Sequence, residues 1–160
     1  MTRIGVKPVL VVGMTSLTAG LVYFTQVSVG GSYVTDLLPG FLLTGLGIGF
    51  AFVPISIAAL AGVRPAEAGL ASGLFNTSQQ IGGALGIAAL STIASSHTDS
   101  ALASGTALPN ALVDGFTAAF VAGAIVAAVG ILAALTLIRR DELAHGPEQV
   151  VGATALDLAA

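Results

Sequence analysis

The sequence predicts an all-α integral membrane protein with four transmembrane helices, and three observations carry that prediction. Of the 160 residues, 55% are hydrophobic and 8% are charged, whereas a soluble domain carries about a quarter as Asp, Glu, Lys or Arg. No charged residue falls between Lys7 and Asp36, Asp36 and Arg64, Glu67 and Asp99, or Asp114 and Arg139. Each gap exceeds the roughly 20 residues that a helix needs to cross a bilayer core about 30 Å thick, and lipid leaves an open strand's backbone groups without partners. The five basic residues, Arg3, Lys7, Arg64, Arg139 and Arg140, then all fall on one side of a four-span chain. Lys and Arg concentrate in cytoplasmic loops, so a multi-pass plasma-membrane protein with both termini in the cytoplasm is expected, with the segments 28–36 and 97–114 outside.

The first span runs from Pro8 to Val27. It is aliphatic, with Tyr23 and Phe24 toward its outer end; it is too long for a signal peptide and no clear Ala-x-Ala site ends it. The second, Leu38 to Leu60, sets Gly40, Thr44, Gly47 and Ala51 in one thin stripe where a neighbour can pack closely. Its Pro54 has no N–H for the carbonyl of Phe50, which predicts a bend or local break in the cytoplasmic half. Pro65 and Glu67 are start signals for the third span, Gly69 to Ser95.

That third span is the unusual one. Gly69, Ser72, Gly73, Asn76, Gln80 and Gly83 recur at steps of three and four, forming one small and polar face. Gly69 with Gly73, and Gly82 with Gly86, have the spacing that lets two membrane helices approach closely. At about 1.5 Å per residue, Gln79 and Gln80 sit roughly 15 Å past Gly69, near the midplane. Two readings of Asn76, Gln79 and Gln80 stand: their amides hydrogen-bond to neighbouring helices, at about 0.6 kcal/mol each, or they line a water-filled path. The fourth span, Gly115 to Ile138, is aliphatic and Ala-rich with Phe116 and Phe120 toward the outside. Residues 141–160 form a cytoplasmic tail, and Gly146-Pro147 breaks any continuation of the helix.

Several function classes are excluded. The glycine-rich run 69–86 contains no Lys and continues into an apolar stretch, so it is no phosphate loop. No basic patch exists to meet nucleic acid at a net charge of -3. With no Cys, no metal-spaced cluster and no Ser/His/Asp set, no catalytic residue, metal or cofactor is expected. No predicted span contains an ionisable residue, and His97 and His145 lie outside them, so a midplane proton relay has no candidate.

The order P-x-E-A-G-L-A-S-G-x-x-N-T-S-x-Q-x-G-G-A-x-G, Pro65 through Gly86, is followed by a last helix opening Gly115-Phe116-x-Ala118-x-Phe120. These residues resemble the late helices of the fourteen-helix drug/proton antiporter branch of the major facilitator superfamily, over nearly the whole chain. Arg3, Gly5 and Lys7 resemble the tail of that family's loop motif D-R-x-G-x-[RK], with the Asp absent.

The resemblance implies helices eleven to fourteen, part of the C-terminal six-helix half of a major facilitator fold. It implies the C-terminal portion of a proton-coupled exporter of small hydrophobic or cationic drugs, with the lipid bilayer and the transporter's remaining helices as partners. In that fold the second span lines the cavity, the third meets the other half and the outer pair faces lipid. Gly47 and Pro54 then join Gly73, Asn76, Gln79, Gln80 and Gly83 as candidate cavity-lining or helix-contact residues. Many relatives carry a basic residue where Gln79 stands, so a charge-compensating role does not carry over. Alternating access requires two halves, so the chain alone is not expected to transport. The alternative is a stand-alone four-helix membrane protein with a structural or assembly role; a small four-helix exporter would need its own intramembrane acid.

Overall fold

The structure, a computed structural model, describes residues 6–60 and 62–137. It contains four long helices, α1 (Val6–Phe24), α2 (Leu38–Leu60), α3 (Ala68–Ala103) and α4 (Leu108–Leu137). A π-helical turn, Tyr33–Leu37, leads into α2, and a 3-10 turn, Pro65–Glu67, leads into α3. There is no strand among the described residues.

α1 and α2 pack together, α1 also packs on α4, and α4 on α3, whereas α2 and α3 touch little. The helices therefore form a row in the order α2, α1, α4, α3. Small residues set the spacing at its start. A β-carbon on Gly13 would stand 2.7 Å from the Ala51 nitrogen, and one on Gly40 would stand 2.6 Å from the Phe24 ring. Gly40, Gly47, Ala51 and Pro54 are the buried residues of α2, so the predicted small-residue stripe is the face turned to α1. Across the same contact the Ser16 hydroxyl donates to the Leu43 carbonyl at 2.8 Å.

Toward the outer end the row is joined by rings. Phe24 meets Phe41 of α2 edge-on and stacks on Phe120 of α4, with centroids 5.1 Å apart in each case. Phe24 is thus buried at 6% exposure rather than turned to lipid, while α1 and α4 keep exposed aliphatic sides at Val12, Ile125 and Val126. At the opposite end the Lys7 ammonium donates to the Leu135 carbonyl at 2.7 Å. A cation at a helix C-terminus satisfies a carbonyl that has no partner inside the helix and meets the negative end of its dipole.

Three differences from the sequence expectations have physical causes. Of the bend or local break expected at Pro54, the break does not occur: α2 is continuous from Leu38 to Leu60 and Pro54 is buried; packed neighbours hold a membrane helix together where one backbone bond is lost. α1 ends at Phe24 and closes in turns, with the Thr25 amide on Val22 and that of Gln26 on Tyr23. α3 runs on to Ala103, so the long outer loop expected over 97–114 shrinks to residues 104–107. No Gly or Pro interrupts the chain from Ile87 to Ser104, and falling hydropathy alone does not stop a helix. The stop comes at Gly105, whose φ of +86° suits glycine. Its amide bonds the Leu102 carbonyl while that of Thr106 bonds Ala101, both at 3.0 Å, which closes a Schellman motif.

Three helical segments are long and apolar enough to cross a membrane: Lys7–Phe24, Tyr33–Leu60 and Leu108–Thr136. α3 has the length, about 54 Å for 36 residues. Its run Asn76-Thr77-Ser78-Gln79-Gln80 keeps it out of that set.

Candidate functional site

α3 begins where Arg64 is extended (φ -67°, ψ 144°) and Pro65 fixes the first turn. The Arg64 guanidinium pairs with the Glu67 carboxylate at 2.6 Å, with side chains 79% and 51% exposed; such a surface pair contributes little to stability. The helix leans on α4 only through its outer half. A β-carbon on Gly115 would stand 2.5 Å from the Ala94 carbonyl oxygen and would meet Thr98 as well, and Leu90 lies beside Gly123.

The inner half is different. Asn76, Gln79, Gln80 and Gly83 line one concavity of about 770 Å³ with Ala84 and Ile87, and every residue from Asn76 to Ala89 is exposed. Among the described residues, no side chain or backbone group hydrogen-bonds to the three amides; on this stretch the hydroxyl of Thr77 turns back to the Gly73 carbonyl. A β-carbon added at Gly69, Gly73, Gly82, Gly83 or Gly86 would meet nothing within 4 Å. The spacing that would let two helices approach closely is thus not used within this row, where no described residue of another helix comes within 4 Å of a β-carbon added at these positions.

The remaining candidates lie elsewhere. Gly47 and Pro54 are buried in α2, where a β-carbon on Gly47 would stand 2.5 Å from the Leu17 nitrogen, so Gly47 serves the α1–α2 contact and is not brought to the amide face. Lys7 caps α4. Arg3, Gly5, Arg139, Arg140 and the tail 141–160 lie outside the described residues.

Two features escaped the sequence. One is a face of hydroxyls on the outer half of α3, where Ser91, Thr92, Ser95, Ser96, Asp99 and Ser100 line a concavity of about 590 Å³. Its signal was legible as paired hydroxyls at a spacing of four. The other is an apolar groove of about 970 Å³ between α1, α3 and α4, which no linear pattern announces because three helices contribute to it. Asp99 lines both, so an acid expected in a loop is a helical residue.

No family model matches the chain, and no solved structure does. Similar proteins include the puromycin resistance protein pur8 of Streptomyces alboniger, 45% identical over 100 residues, which is 62% of this chain and 20% of that protein. The cephamycin export protein CmcT of Amycolatopsis lactamdurans is 40% identical over 67 residues, 42% of this chain and 14% of its own. A multidrug resistance protein B homolog of Mycobacterium tuberculosis (strain ATCC 25618 / H37Rv) is 32% identical over 94 residues, 58% of this chain and 17% of its own. The chain thus spans no more than a fifth of these relatives' length. Relatives named for resistance and export, together with several helices apolar enough to cross a bilayer, mark a multi-pass membrane protein.

Proposed function

We propose that the chain supplies four transmembrane helices of a drug or antibiotic exporter in the fourteen-helix drug/proton antiporter branch of the major facilitator superfamily. It acts in transport and not as an enzyme. The observation that carries this reading is the face of Asn76, Gln79, Gln80 and Gly83, which has no partner in the row of four helices. Amides facing hydrocarbon are costly, so α3 requires either helices beyond this row or a water-filled path beside it. A larger transporter offers both, and relatives of which the matched stretches make up 20%, 14% and 17% agree with one. The ends of the row, α2 and α3, then turn toward the other helices, while the aliphatic sides of α1 and α4 face lipid. Lys7 and the C-terminal end of α4 share one end of the row, and the tendency of Lys and Arg to concentrate in cytoplasmic loops supports a cytoplasmic position for it. Substrates are small hydrophobic or cationic drugs, and proton coupling comes from helices outside these four.

The test is an exchange. The matched stretch of the puromycin resistance protein is replaced by the corresponding residues of this chain, and puromycin resistance is scored alongside the amount of chimera in the membrane. Resistance near that of the parent is expected. A chimera that reaches the membrane folded and confers none contradicts the proposal.

A further inference from the structure

The turn that joins α1 to α2 folds its acid inward and leaves its apolar side chains outside, the reverse of a segment that faces water. Asp36 is the one charged residue between Lys7 and Arg64, and it is half-buried. Its carboxylate accepts the Thr35 hydroxyl at 2.7 Å and the Ser28 hydroxyl at 3.2 Å. It also lies against Gly31, where an added β-carbon would meet Oδ2 of Asp36. The backbone is tied down as well: the Tyr23 hydroxyl of α1 donates to the Thr35 carbonyl, and the Gly31 and Asp36 amides bond the Ser28 and Ser32 carbonyls. Tyr33, by contrast, is 59% exposed and Val34 62%, and Val29 is exposed too.

We propose that residues 28–37 form a membrane-interface anchor, lying in the lipid headgroup layer with Val29, Tyr33 and Val34 against the lipid. Depth supports this. Tyr33–Leu60 is one apolar helical segment of 28 residues, about 42 Å at the α-helical rise. The hydrocarbon core is about 30 Å thick, and about 40–45 Å with its headgroup layers. Shared between the two ends, the surplus of about 12 Å sets Tyr33 about 6 Å beyond the core, inside one of those layers. A tyrosine suits that level, because its ring is apolar and its hydroxyl is wet. Just below it, the rings of Phe24, Phe41 and Phe120 meet at the same end of the row. The clasp on Asp36 then has a purpose. A carboxylate drawn away from water is costly unless it is hydrogen-bonded, and two hydroxyls of the turn itself supply those bonds, so the segment need not rise into water to solvate its acid. The inference goes beyond the exporter reading and does not rest on it, since it uses only the depth and polarity of one turn.

The chain contains no Trp, so Tyr33→Trp places a single reporter in the turn. The full-chain variant is reconstituted in phosphatidylcholine vesicles, and its fluorescence is read with iodide on both sides of the membrane and with lipids brominated either high on the acyl chains or near their ends. Ser104→Trp, in the turn between α3 and α4, is the water-facing reference. The Tyr33→Trp indole should emit at shorter wavelength than the reference, lose most of the reference's iodide quenching, and be quenched more by the shallow bromines than by the deep ones. Iodide quenching equal to that of the reference would put the turn in water. Protection from both iodide and bromine would show protein covering it, and stronger quenching by the deep bromines would put it inside the core; each of these overturns the anchor. A second variant tests the clasp. Ser28→Ala with Thr35→Ala, made in the Tyr33→Trp protein, removes both hydroxyl donors to Asp36 and keeps the apolar side chains. Iodide quenching should rise toward that of the reference while helicity by circular dichroism holds, and an unchanged reading overturns the role given to Asp36. Puromycin resistance of the chimera bears on the exporter reading alone, so the two readings fail separately.

Discussion

Gly47 of α2 lies so close to Leu17 of α1 that a β-carbon on the glycine would stand 2.5 Å from the Leu17 backbone nitrogen. Two backbones in that contact cannot be spread without losing the dispersion and hydrogen bonds along the whole α1–α2 seam, and lipid supplies no hydrophobic drive to restore it. Gly47→Val should therefore destabilise the folded chain by about 1–3 kcal/mol, the usual cost of forcing bulk into a filled interface. Gly45→Ala and Gly49→Ala, where an added β-carbon meets nothing within 4 Å, should be nearly neutral. Thermal unfolding in detergent, followed by circular dichroism, separates the two classes; a Gly47→Val protein as stable as its parent would show that the seam tolerates separation.

The orientation of the row is open to direct labelling, because the chain contains no Cys. Ala66→Cys lies in the turn before α3 and Ser104→Cys in the turn after it. With cytoplasmic termini, an impermeant maleimide applied to intact cells labels Ser104→Cys and spares Ala66→Cys. The reverse pattern would invert the topology.

Reconstituted alone in liposomes carrying a pH gradient, the chain should leave that gradient intact in the presence of drug. Among the described residues of the helices, the ionisable groups cluster near the ends, with Lys7, Asp99 and Asp114 as examples, and a coupled proton needs a carrier inside the membrane. Drug-stimulated, protein-dependent proton flux would revive a small self-sufficient exporter.

Much of this architecture was legible in the sequence because membrane helices leave an averaged signal. Charge-free gaps pointed to the three apolar segments long enough to cross a membrane, and the stripe of Gly40, Gly47 and Ala51 announced a close contact with a neighbour, which α1 makes. What failed was local. The span expected to end near Ser95 lies inside a helix that runs on to Ala103, because nothing in the backbone stops it before Gly105 permits a left-handed turn. Of the bend or local break expected at Pro54, the break does not occur, since α2 is continuous through it. For the amide face, the sequence located Asn76, Gln79 and Gln80 together, but spacing along one helix says nothing about which helix covers it. The groove depends on residues from three helices and lay beyond any pattern in one segment.

The central claim is that the α3 face open in this row is closed in a complete exporter, and Gly83→Val measures it in two settings. Gly83 lines the amide concavity, and a β-carbon there meets nothing within 4 Å. In the isolated chain the substitution should shift stability by no more than about 0.5 kcal/mol, as at an unpartnered surface position. In the chimera with the puromycin resistance protein, the same valine should drive apart two packed backbones or obstruct the path, and resistance should be lost or the folded yield should fall. Resistance and yield equal to those of the unsubstituted chimera would contradict the claim, because they would show that no helix and no substrate route comes to this face.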